Sequence, residues 1–95
     1  MAQAAAPVRL ALGRKVLHAV ARAVPPGWSL WTDDIGLRAD WYSPDRRVKI
    51  EVDAPNLVVS VLAHESSLLL RGPQDPEAVV RCLRALGILP PDGTS

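Results

Sequence analysis

Between Pro7 and Val24 apolar residues return at every third or fourth position. Leu10, Gly13, Leu17, Val20 and Val24 share one stripe, which predicts a helix over 8–24. Pro7 suits a first helical position, and Pro25-Pro26-Gly27 must end the helix because neither proline can donate the next hydrogen bond. From Trp28 to Arg71 the period changes to two. Ile35-Gly36-Leu37-Arg38-Ala39-Asp40-Trp41 alternates apolar with polar, and Val48-Lys49-Ile50-Glu51-Val52-Asp53 does so again. Turn-forming clusters at 33–36, 43–46, 53–56 and 64–67 separate the runs, predicting five strands near 28–32, 36–42, 47–53, 57–63 and 67–71. A second helix follows, with Asp75 as N-cap, Pro76 as first residue and Gly87 just past its end. Val79, Cys82, Leu83 and Leu86 form its apolar stripe, and Ile88 and Leu89 are expected to staple its exit before Pro90-Pro91.

Tight turns fix a trial register. Folding at Asp34-Ile35 sets Leu30 against Ala39 and Trp28 against Trp41; folding at Pro44-Asp45 sets Trp41 against Val48 and Ala39 against Ile50. The second of these also opposes Asp40 to Lys49 and Arg38 to Glu51. Folding at Ala54-Pro55 pairs Ile50 with Val59, and folding at Glu65-Ser66 pairs Val61 with Leu70. All four turns send apolar residues to one face, and a slip of one residue at any of them would break that agreement. The expected fold is therefore α+β: a two-layer sandwich in the order helix, five-stranded antiparallel meander, helix, with both helices on one face of the sheet. One domain is expected over 7–90, with disordered tails at 1–6 and 91–95.

Length leaves room for nothing larger. Ninety-five residues exclude a two-domain dinucleotide enzyme, a barrel or a repeat array. The single cysteine cannot form an internal disulfide, no apolar run approaches membrane-spanning length, and 1–7 lacks the charged start of a secretory signal. A cytoplasmic location is expected. Nine arginines against two lysines and the absence of phenylalanine suit a GC-rich genome, such as that of an actinobacterium or its phage. The net charge of +1 conceals an asymmetry: residues 1–32 hold Arg9, Arg14, Lys15 and Arg22 with no acid, whereas 33–95 hold ten acids and seven bases.

Candidate chemistry is thin. His64 sits beside Glu65, Ser66 and Ser67, but turn neighbours point apart, and no glycine elbow or oxyanion motif accompanies them. Cys82 falls on a core stripe, where cysteine behaves as a small hydrophobe. Asp33, Asp34, Asp40 and Asp45 fall in turns or opposite a cation, and no phosphate-cradling glycine loop occurs. No catalytic residue, cofactor, metal ligand or small-molecule substrate is indicated, and an enzyme is not expected.

Two surfaces remain. Arg14, Lys15, His18 and Arg22 occupy one arc of the first helix, a candidate contact for an anion or nucleic acid. On the sheet face away from the helices, Val58, Leu62 and Leu69 should point outward on the last two strands, with Trp31 and Tyr42 nearer the first. The final strand, Ser67-Leu68-Leu69-Leu70-Arg71, is an apolar edge guarded only by Arg71. The expected function is thus a small non-enzymatic protein–protein interaction module, a homodimer or a partner-binding accessory protein, contacting through Trp31, Val58, Leu62 and Leu69. The alternative is a nucleic-acid-associated regulator that uses the basic helix.

Overall fold

Residues 6–91 are described by a computed structural model; of the expected tails, 1–5 and 92–95 lie outside the described residues. Ala6 already belongs to the first helix. The elements are α1 (Ala6–Ala23), β1 (Ser29–Thr32), β2 (Arg38–Tyr42), β3 (Val48–Asp53), β4 (Val58–Ala63), β5 (Ser66–Arg71) and α2 (Pro76–Ala85). The five strands form one antiparallel sheet in sequence order. The two-layer α+β sandwich expected from the periodicity is the fold observed.

The turns explain a systematic correction to the register. In the first three hairpins a carbonyl accepts from the amide three residues on: Asp33 from Gly36 at 3.2 Å, Ser43 from Arg46 at 2.9 Å and Ala54 from Leu57 at 3.1 Å. The last residue of each turn is left-handed, with φ of 70° at Gly36, 64° at Arg46 and 54° at Leu57. Side chains brace these turns. Asp33 Oδ1 accepts from the amides of Leu37 and Arg38, and Asp45 Oδ1 accepts from the Arg47 amide and Ser43 hydroxyl. The fourth hairpin is tighter: His64 and Glu65 alone connect its strands, with φ of 49° and 71°, the signature of a type I′ turn.

Each fold point therefore lies one residue from its expected place, so every cross-strand partner moves by two. Leu30 opposes Trp41, Trp41 opposes Ile50, Ile50 opposes Val61 and Val61 opposes Leu68. A shift of two preserves the face of every side chain, so the core assignment survives while the charge pairs do not. Asp40 faces Glu51 and Arg38 faces Asp53, in place of the expected Asp40–Lys49 and Arg38–Glu51 pairs.

Both helices cover the inner face, where Ile50, Val52, Val59 and Val61 are buried with Val16, Val20, Val79, Val80 and Leu83. On α1 the buried residues are Gly13, Val16, Ala19 and Val20, whereas Leu10 and Leu17 are half-buried margins of the stripe. Small residues occupy the point of closest approach. A Cβ on Gly13 would lie 2.7 Å from the Ala54 Cα and closer still to its carbonyl oxygen, so this glycine lets α1 rest on the β3–β4 turn. On α2, Asp75 Oδ1 caps the Glu77 amide at 3.0 Å. The helix ends in a Schellman motif, with Gly87 bonded to the Arg84 carbonyl and Ile88 to the Leu83 carbonyl. Leu86, expected on the buried stripe, is the C-cap and is exposed; Val80 takes a core position in its stead, and Cys82 is only half-buried.

Candidate functional site

The outer face of the sheet follows from the register. One row runs Trp31, Asp40, Glu51, Ser60, Leu69; a second runs Ser29, Tyr42, Lys49, Leu62, Ser67; a third runs Arg38, Asp53, Val58, Arg71. Across β4 and β5, Leu69 is the diagonal neighbour of both Leu62 and Val58, which stand on β4 on either side of Ser60. Leu62 is 53% exposed and Leu69 47%, and Val58 is half-buried. Trp31 is also exposed but stands at the opposite edge of the sheet, separated from Leu69 by Asp40, Glu51 and Ser60. Four strand spacings of roughly 4.8 Å put it about 19 Å away, so the four expected contact residues form a cluster of three and an outlier.

The middle of this face is charged and internally engaged. Ser43 bonds to Val48 and Ala54 to Leu37, which makes Asp40 and Glu51 one of the close, non-hydrogen-bonded pairs of β2 and β3. Burial, and then the facing Glu51 carboxylate, raise the Asp40 pKa above its ordinary value, partly opposed by Lys49 and Arg38. Lys49 turns to Glu51 at 3.6 Å and Arg38 to Asp53 at 3.7 Å. Tyr42 lies beneath Arg46 and Lys49, 5.3 and 5.8 Å from its ring centre. These charges solvate the centre of the sheet and leave the apolar surplus at the β5 side.

The strand edges can be read from the same bonds. Gly72 donates to Leu57 at 2.8 Å, which makes them a hydrogen-bonded pair at the end of the β4–β5 ladder. Alternation along β5 then turns the backbone groups of Leu70, Leu68 and Ser66 toward β4, and those of Ser67, Leu69 and Arg71 away from it. Alongside this edge a groove of about 450 Å³ runs between β5 and α2, floored by Leu70, Ala78, Val79 and Cys82. The other edge, β1, is four residues long and exposed on both faces; Leu30, on its inner side, is 58% exposed because the helices do not reach over it.

The basic arc of α1 is intact. Arg14, Lys15, His18 and Arg22 are exposed and line a second cleft of about 470 Å³, whose far wall is Pro76 and Glu77 of α2. Arg22 reaches Glu77 at 3.4 Å. Sequence reasoning found these four residues but not the opposing wall, which only the packing of α2 supplies.

His64 is accounted for by the I′ turn, where histidine tolerates a left-handed backbone, and its ring bonds to none of Glu65, Ser66 or Ser67. Among the described residues no group of three or more His, Cys, Asp or Glu could hold a metal ion, and no helix is long and apolar enough to cross a membrane. None of the family models, curated proteins or solved structures compared with the chain matches it.

Proposed function

We propose that this protein is a non-enzymatic interaction module of the cytoplasm that pairs with a second copy of itself through β5. The observation that carries the reading is the edge of β5, where the backbone groups of Ser67, Leu69 and Arg71 have no strand partner among the described residues and adjoin exposed Leu69 and Leu62. The edge is self-complementary. Antiparallel pairing centred on Leu69 sets Leu69 against its own copy and Arg71 against Ser67, so no like charges meet. The same register sets Leu68 against Leu70 on the inner face, extending the apolar row of each sheet into the other and covering two half-buried leucines.

Light scattering during gel filtration tests this. The expected result is a dimer for the native chain and a monomer for Leu69→Asp, with unchanged circular dichroism because Leu69 lies outside the core. A native chain that stays monomeric at high concentration overturns the reading, as does a Leu69→Asp protein that remains dimeric.

A further inference from the structure

The cleft between α1 and α2 is built differently from the sheet edge. Three permanent cations and a histidine converge on it from a single helix face, Arg14, Lys15, His18 and Arg22. At 100° per residue Arg14, His18, Arg22 and Lys15 fall within about 100° of one another, so their side chains share one exposed side of α1. Among the described residues one carboxylate lines the cleft with them: Glu77, which engages Arg22. Asp75, the residue that caps α2, is engaged by the Glu77 amide and by Arg81 at 3.5 Å. The side chains of Arg14, Lys15 and His18 have no hydrogen-bond or ion-pair partner among the described residues.

From this we infer that the cleft binds a compact phosphate-bearing anion, a diphosphate or triphosphate group, held by Arg14, Lys15 and His18 with Arg22 braced at its end. Guanidinium and ammonium groups together match phosphate oxygens, the first by its planar fork and the second as a point charge. Size limits the ligand. Arg14 to Arg22 spans about 12 Å of helix axis, enough for two or three linked phosphates and short of the six to ten contacts of a typical duplex binder. Volume agrees, since about 470 Å³ falls in the range of small-molecule sites. Glu77 on the far wall would repel a phosphate backbone running through the cleft, while a short anion can sit beside α1 and avoid it.

The test is calorimetry and amide chemical-shift mapping of the native chain with inorganic pyrophosphate at low salt. Saturable binding with shifts centred on residues 14–22 and 76–77 is expected. Arg14→Glu with Lys15→Glu should weaken it by at least about tenfold, and Glu77→Gln should tighten it by removing the one opposing charge. Arg46→Glu with Arg47→Glu alters net charge equally at the distant β2–β3 turn and should leave binding unchanged. All these side chains except Arg46 and Arg47 line the cleft, and all are exposed, so folding is not at stake. Absence of saturable binding overturns the inference. So does equal weakening by the two double variants, or a short DNA duplex that binds at this face where pyrophosphate does not. Because no residue of β5 lines the cleft, either outcome leaves the dimer test untouched.

Discussion

Replacing Gly13 by alanine separates two opposing effects in one measurement. Glycine inside a helix is unfavourable, and alanine at an unobstructed helical position gains about 1 kcal/mol. Gly13 is not unobstructed: its missing Cβ would meet the Ala54 backbone at 2.7 Å. That backbone cannot easily withdraw, because the Ala54 amide donates to Leu37 at 2.9 Å and its carbonyl accepts from Leu57 at 3.1 Å. The obstacle is therefore main chain held at both ends, which places the strain toward the upper part of the usual overpacking range of about 1–3 kcal/mol. After the helical gain, a net loss of about 1–2 kcal/mol remains, equivalent to a fall in Tm of roughly 4–15 °C for a domain of this size. Thermal unfolding followed by circular dichroism measures it, and Ala21→Gly, at an exposed position of the same helix, calibrates the intrinsic propensity. A Gly13→Ala protein as stable as the native chain, or more so, would refute the close approach of α1 to the β3–β4 turn.

Substituting Asn-Gly for His64-Glu65 places the preferred type I′ residues where both φ values are already positive, and is expected to stabilise by about 1 kcal/mol, read from the urea midpoint at unchanged slope. Asp40 and Asp45 should respond to pH with opposite signs. The raised pKa of Asp40 means its favourable contribution is present below the ordinary aspartate range and lost as pH rises through the folded value, so Asp40→Asn should raise Tm at neutral pH with a gain that vanishes in acid. The Asp45 pKa is lowered by the Arg47 amide and then the Ser43 hydroxyl, so its contribution is present at neutral pH and lost as pH falls through the folded value. Asp45→Ala should accordingly lower Tm at neutral pH and converge with the native chain in acid; parallel pH profiles for the two variants would contradict this assignment.

The period-two pattern made the faces of the sheet legible and left the register free to move in steps of two. Only turn chemistry could have chosen among those steps. Gly36 signals its left-handed position openly, but Arg46 and Leu57 adopt the same conformation without being residues that advertise it, and His64-Glu65 is an unusual I′ pair. The expected Asp40–Lys49 pairing failed for that reason and not because the alternation misled. On α1, apolar spacing located the buried side but not its centre. Side-chain bulk decides the centre, with Gly13, Val16 and Ala19 inward and the leucines flanking. The basic arc was legible because it needs only helix periodicity. Its opposing wall was not, since Glu77 lies 55 residues from Arg22. The separation of Trp31 from Leu69 likewise follows from strand order, which places them on opposite edges.

Sequential strand order also governs how the molecule is made. Every strand pairs only with its neighbour in the chain, so the sheet can zip up hairpin by hairpin with little loop-closure cost. The helices have no such local route, because α1 is the first of these elements to leave the ribosome and α2 the last. Until the sheet has formed, Val16 and Val20 have no layer to pack on, and Val79, Val80 and Leu83 follow only after it. A nascent chain that has its sheet and α1 but not α2 therefore lacks the Val79, Val80 and Leu83 side of the core, and the apolar sheet residues that these bury stay open to other chains until α2 docks.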